Sequence, residues 1–343
     1  MRRGVGVDLD ASGPATIEQV AAVAGVSRST VSRVVNGSSA VSESAREAVF
    51  AAIAQLDYVP NQAARSLATR QTRAIALIIP EDTSRFFGDP FIASVVSGIH
   101  SRLTEADYVM NMVLATDVAG GRTAQYLRGG NVDGAIVVSH HSRDAFVDAI
   151  ADAVPLVFGG RPTHKRAGES AYFVDVDNVE GGRLATAHLV ERGRRDIATI
   201  AGPPDMPAGM DRLVGYRQAL ADAGLAEGAV ATGDFSEAGG YEAMRTILSA
   251  GTPDAVFVAS DLMAVGAYRA LAEAGLTVPD DVAVVGFDDA PVAATLSPAL
   301  TTVRQPSTRQ GELIAQKLVE LLGGSAPERI TMIDVEIVPR ASA

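Results

Sequence analysis

TIEQVAAVAGVSRSTVSRVVN, residues 16–36, decides how the rest of the chain reads. Thr16 with Gln19 three residues on is a capping box, and Ile17, Val20, Ala21 and Ala24 recur at helical spacing on one face. Gly25 stops that helix. Ser27 caps a second one, on which Thr30, Val31, Val34 and Val35 share the turns with Arg28, Ser29, Ser32 and Arg33 until Asn36-Gly37 ends it. Two short helices joined by a tight glycine turn are a helix-turn-helix, whose second helix presents its N-terminal side chains to a major groove. Arg28, Ser29 and Arg33 are its exposed candidates for base contacts.

Downstream, VSESAREAVFAAIAQLDYVPNQAARSLATRQT (41–72) supplies a third helix with Ala45, Val49, Ala52, Ile53 and Leu56 on one face. Pro60 blocks its continuation, and Asn61 can cap a further short helical segment running to Thr72. A segment this short is marginal alone and folds only when held.

AGVSRSTVSRVVN, VSESAREAV, LDYVPNQAARSLATRQT and, much later, ASDLMAVGA, VPDDVAVVGFDD and LTTVRQP occur in this order. Together they closely resemble the lactose-repressor (LacI/GalR) family of bacterial transcription regulators, over essentially everything after the first dozen residues. The resemblance implies an all-α helix-turn-helix headpiece and a hinge, then a periplasmic-binding-protein-like (type I) parallel α/β core in two subdomains. It implies a homodimer on a near-palindromic double-stranded operator. The expected DNA contacts are Thr16, Ser27, Arg28, Ser29, Thr30, Ser32, Arg33 and Asn36, with Asn61 and Ala64 in the hinge and Leu67 as the minor-groove wedge.

The net charge of −12 conflicts with DNA binding until it is divided along the chain. From Ala15 to Arg73 six arginines face four acids, so the head is near +2 and the remainder near −14. Such a dipole turns the head toward phosphates. Residues 1–14 read as a disordered tail: two arginines open it, but no apolar run of signal-peptide length follows. With no membrane-length apolar stretch and no cysteine, the chain is expected in the reducing cytoplasm.

From Arg73 onward, apolar strand-like runs alternate with helical patterns. The strands are expected at 74–80, 108–115, 133–139, 155–160, 171–177, 196–202, 254–260, 281–288 and 333–339. Helices are expected at 91–106, 181–192, 210–223, 238–248, 263–274 and 308–322. Continuous Val/Ile/Ala runs with crossover helices mean parallel sheets buried on both faces, and so many strands suit two sheets better than one. The resemblance places the chain's crossings near Val176, Arg304 and Met332. That gives an amino subdomain of 73–175 plus 305–332 and a carboxy subdomain of 176–304 plus 333–343.

Ligands in such folds lie beyond the carboxyl ends of the strands. There stand Asp89, Phe91, Ser139, His140, Arg161 and Asp177, then Asp205, Met206, Arg212, Phe235, Asp261 and Asp288, with Gln305 on a return crossing. Acids, an arginine and an aromatic platform suit a polyhydroxylated ring, whose hydroxyls both donate and accept. The resemblance matches Arg212 and Asp288 to positions that grip sugar hydroxyls, while Asn178 reads as the cap of the following helix. No phosphate-loop, zincin or nucleophile-elbow motif occurs, and the adjacent His140 and His141 point opposite ways on an extended segment, so neither enzyme, cofactor nor metal is expected. The expected function is a repressor released by a sugar or oligosaccharide. The alternatives are a corepressor-activated repressor for a purine-like or phosphorylated ligand, and a sugar receptor or enzyme with an incidental head.

Overall fold

The computed structural model describes residues 15–35, 40–59, 71–115, 121–144, 146–163 and 171–343. The tail 1–14, Asn36, Asn61, Ala64 and Leu67 lie outside the described residues. The contacts divide the chain into two units, Met1–Thr72 and Arg73–Ala343.

In the first unit, α1 (Ile17–Ala24) is closed at its start by the reciprocal Thr16–Gln19 box and at its end by Gly25 at φ +65°. α2 (Arg28–Val35) begins where Ser27 Oγ accepts the Thr30 N–H at 3.1 Å. α3 (Glu43–Leu56) is capped by Ser42. Val20, Val31 and Val49, one from each helix, are fully buried around Ala52, Val34 and Tyr58. At about 1.5–3 kcal/mol for each such valine, this small core holds three helices that are too short to persist alone.

The second unit runs β1 (Ala74–Ile79), α4 (Thr83–Gly88), α5 (Pro90–Glu105), β2 (Val109–Leu114), α6 (Gly121–Arg128), β3 (Gly134–Val138), α7 (Phe146–Ile150), β4 (Leu156–Gly159), β5 (Tyr172–Val176) and α8 (Asn178–Glu191). It continues with β6 (Ile197–Ala201), α9 (Pro207–Asp222), β7 (Val230–Thr232), α10 (Glu237–Ala250), β8 (Ala255–Val258), α11 (Asp261–Glu273) and β9 (Ala283–Asp288). The last elements are α12 (Pro291–Thr295), β10 (Thr301–Arg304), α13 (Ser307–Leu322), β11 (Ile330–Ile333) and β12 (Glu336–Val338). The strands form two six-stranded sheets, ordered β11-β5-β4-β3-β1-β2 and β12-β10-β9-β8-β6-β7. Every pair is parallel except β10 with β12. β1, β3, β6 and β8 are buried along their whole length, as strands covered on both faces must be. The chain passes between the two lobes after β5, after β10 and after β11. No described helix is long and apolar enough to cross a membrane.

Three strand readings differ. The run 333–339 is not one strand: Ile333 ends β11 in the first sheet and Glu336 begins β12 in the second. β7 and β10 carry too short an apolar run to declare themselves, and only pairing with β6 and β9 makes them strands.

Each lobe packs its paired helices through reciprocal glycines. A Cβ on Gly98 of α5 would lie 2.0 Å from Thr308 O, and one on Gly311 of α13 would lie 2.1 Å from Val95 O. Gly182 of α8 and Gly215 of α9 stand 2.2 Å and 1.9 Å from Arg212 O and Val179 O by the same measure. Gly240 and Gly266 join α10 to α11 likewise, at 2.1 Å and 2.0 Å. The helices touch backbone to backbone, which fixes their spacing and, through Gly182, the placement of Arg212.

Candidate functional site

A cleft of about 720 Å³ opens between the two lobes at the carboxyl ends of the strands. From the first lobe it takes Asp89 and Phe91 at the start of α5, Ser139 and His140 after β3, and Arg161 after β4. The second lobe contributes Met206, Arg212, Phe235 and Asp288, and Gln305 lines it from the crossing after β10.

Arg212 is the centre of its second-lobe wall. α9 carries the side chain into the interior, where it is 5% exposed. Nε donates to Asn178 Oδ1 at 2.9 Å, Nη1 donates to the Ala259 carbonyl at 2.6 Å, and Nη1 stands 3.6 Å from Asp288 Oδ1. The guanidinium lies 3.5 Å above the Phe287 ring. Burial pulls its pKa down while Asp288 and Asp175 pull it up. Burial likewise pushes the Asp288 carboxyl up, and Arg212 works against that shift; Gln305 Nε2 donates to Asp288 Oδ1 at 2.6 Å. The lining residues Ser139 (φ 60°), Phe235 (φ 63°) and Asp288 (φ 118°) all hold left-handed backbone, costing about 1–3 kcal/mol each. Three of the seven described non-glycine residues with positive φ thus line this one cleft.

Around this cleft the lobes are joined by polar side chains. Arg161 Nη2 reaches both oxygens of Asp211, at 2.9 and 2.8 Å. His141 faces Glu81 Oε1 of its own lobe through Nε2 at 3.3 Å and Asp205 Oδ2 of the other through Nδ1 at 3.0 Å. Arg143 Nη1 lies 3.2 Å from the same Asp205 oxygen, and Arg85 Nη1 donates to the Asp234 carbonyl. Burial lowers the His141 pKa, but the hydrogen bonds to Glu81 and Asp205 outweigh it and leave the pKa raised. A second, wider cleft of about 1610 Å³ adjoins the first, and Arg85, Asp89, Phe235 and Leu262 line both.

Three expected ligand residues stand elsewhere. Asp177 is exposed and caps α8, its Oδ1 accepting the Glu180 N–H at 2.9 Å. Asn178, read as that cap, is instead buried and holds Arg212. Asp261 is fully buried outside the lining, its oxygens taken by Thr302 Oγ1 at 2.6 Å and the Ala290 N–H at 2.8 Å. Asp205 lines the second cleft rather than the first. Sequence reasoning missed Asp175, which is buried inside β5 and accepts the Arg161 and Val176 N–H groups at 2.8 Å each. Arg85 and Gln310 line the cleft as well; none of the three sits immediately after a strand, the position from which the sequence offers ligand residues.

In the head, Ser29 and Arg33 are exposed, and Ser32 and Thr30 are half-buried. Ser27 Oγ bonds both Ser29 Oγ and Thr30 Oγ1 at 2.8 Å, and Thr16 is committed to its cap. Exposed Arg28 pairs with Glu18 at 3.2 Å, so the first helix holds its side chain.

A helix-turn-helix head in the same chain as a two-lobed binding-protein core defines a ligand-responsive, DNA-binding transcriptional regulator. Residues 16–61 match the model of the bacterial regulatory proteins of the lacI family, and residues 186–343 match that of the periplasmic binding protein-like domain. The HTH-type transcriptional regulator CelR of Thermobifida fusca is 47% identical over 325 residues, 93% of this chain and 95% of CelR. The ribose operon repressor of Escherichia coli K12 is 37% identical over 313 residues, 89% of this chain and 92% of the repressor. Among solved structures, a CelR–cellobiose complex aligns with TM-score 0.76 at 43% identity, covering 96% of this chain and 100% of that one. A lac repressor dimer bound to operator and the anti-inducer ONPF aligns with TM-score 0.84 at 32% identity, covering 96% and 99%. The chain belongs to the lacI family of bacterial regulatory proteins.

Proposed function

We propose that the protein is a homodimeric repressor, held on a near-palindromic operator by its heads and released by a neutral di- or oligosaccharide bound in the interlobe cleft. The observation that carries the ligand class is the state of the cleft's cations. Arg161 is spent on Asp211, Arg212 on Asp288 and Asn178, and Arg85 on Glu81 and the Asp234 carbonyl. The carboxylates Asp89, Asp175 and Asp288 stand beside them. A phosphorylated corepressor would meet acids and committed arginines, whereas hydroxyls both donate to carboxylates and accept from guanidinium groups. Phe91 and Phe235 line the cleft and supply apolar surface for the C–H side of a pyranose ring. The CelR complex with cellobiose supports the same class in a close relative.

In this reading Asp89, Phe91, Ser139, His140, Arg161, Met206, Arg212, Phe235, Asp288 and Gln305 form the effector site, with Arg28, Ser29 and Arg33 the main base contacts. Sugar touching both lobes favours one lobe arrangement, and through the hinge segment 61–72 that arrangement disfavours operator binding. Moving a dimer from 99% competent to 99% incompetent takes about 5.5 kcal/mol of discrimination. A thermal-shift panel of mono-, di- and trisaccharides, purines and sugar phosphates tests the class, since a ligand at 100 times its Kd adds about 2.7 kcal/mol. Operator release measured with the hit then tests the direction: a hit that tightens operator binding refutes the inducer mechanism, and a purine or sugar-phosphate hit refutes the ligand class.

A further inference from the structure

Gln310 sits in the first half of α13, 3% exposed, and lines the cleft on the first-lobe side, as do Ser139 and Asp175. Its Nε2 donates to the Val174 carbonyl at 3.3 Å, which orients the amide; turned over, it would set oxygen against oxygen. Its Oε1 is almost wholly buried in the cleft wall and has no hydrogen-bond partner among the described residues. The neighbouring polar groups are already spent. Ser139 Oγ donates to Glu81 at 2.7 Å, and the Asp175 oxygens take the N–H groups of Arg161 and Val176 and the Nδ2 of Asn178.

Native proteins pair nearly all their buried polar atoms, so an orphaned amide oxygen in a cleft wall requires an explanation. Packing does not provide it, because an aliphatic side chain of the same length would fill the space without an unmet acceptor. Nor does the Val174 carbonyl need the amide, since it already accepts the Gly160 N–H at 2.9 Å. We infer that Gln310 is a specificity-determining residue of the effector site, its Oε1 accepting a hydrogen bond from one hydroxyl of the bound saccharide; this rests on the sugar reading above. A site built around a buried acceptor rejects an analogue that lacks the matching donor, because the acceptor is then left unpaired.

The role has a signature that a structural residue lacks. Gln310→Met keeps length and volume and removes the orphaned oxygen, so it raises the melting temperature of the sugar-free protein while weakening cellobiose binding by about tenfold. Gln310→Leu repeats the test with a different shape. Calorimetry with cellobiose and its monodeoxy derivatives then locates the hydroxyl: wild type loses about tenfold at one position, and the variants lose nothing further there while discriminating normally at the others. A lowered melting temperature in both variants, or an unchanged deoxy profile, overturns the assignment. Should wild type bind no saccharide, the sugar reading fails and the hydroxyl with it, whereas a raised melting temperature of Gln310→Met still marks the oxygen as an acceptor kept for some other donor.

Discussion

Replacing Arg212 separates what the cleft owes to stability from what it owes to the effector. Arg212→Met deletes hydrogen bonds to Asn178 and the Ala259 carbonyl, the ion pair with Asp288 and the stack on Phe287. Removing one member of a buried pair costs up to about 3–5 kcal/mol, and Asp288, whose pKa burial already pushes up to about 7, then takes up a proton rather than stay charged without Arg212. Against a total stability of about 5–15 kcal/mol that is a large loss, and a melting temperature lower by about 10 °C is expected. Arg212→Met with Asp288→Asn removes both charges and recovers most of it. The recovered double variant carries the functional test: a charge-assisted hydrogen bond of about 1.5–3 kcal/mol makes effector binding about 10- to 150-fold weaker. The head has its own core, so operator affinity without effector stays within about twofold. Fluorescence anisotropy on labelled operator, titrated with the effector, reads both. If the stable double variant is released at the wild-type effector concentration, Arg212 does not grip the ligand and the site is misassigned.

His141 gives a pH dependence of defined sign. Glu81 and Asp205 face its two nitrogens, with Arg85 beside the former and Arg143 beside the latter, and its raised pKa means that the joined lobes are favoured while the imidazole is protonated. The contribution is complete below the ordinary histidine value of about 6.5 and is lost as pH rises through the raised one, so calorimetry shows effector binding weakening as pH rises above the ordinary value, and His141→Gln flattens the slope. In the head, Arg33→Ala lowers operator affinity by about 1–3 kcal/mol with a loss of preference at one base pair, whereas Glu18→Ala, by freeing Arg28, leaves affinity equal or tighter; competition on single-substituted operators checks both. Gly182→Ala would drive a Cβ into the Arg212 carbonyl, so thermal melting shows a loss of about 1–3 kcal/mol or more, accompanied by weaker effector binding, and a variant with full affinity would mean that the α8–α9 spacing does not place Arg212.

What the sequence disclosed, and what it concealed, divides along a physical line. The head was legible because capping boxes, a left-handed glycine and helical spacing are local, and Thr16, Gly25 and Ser27 behave in the fold as their types dictate. Strands buried on both faces were legible because burial makes them continuously apolar; β10, TTVR, was not, because it owes its strand to β9 and β12 rather than to its own pattern. Within the cleft, looking just past each strand end found the loop residues but exchanged Asp177 for Asn178 and overlooked Asp175. Neighbouring residues on such a segment face opposite ways, and nothing local says which one the helix will take as its cap. Gln310 was hidden for a different reason. It occupies an ordinary position on an amphipathic helix, and only the tertiary contacts that occupy Ser139 and Asp175 leave its oxygen conspicuous. A residue marked out by the hydrogen bonds its surroundings leave unmade is one whose own sequence context says little, since the marking is done by residues far away in the chain.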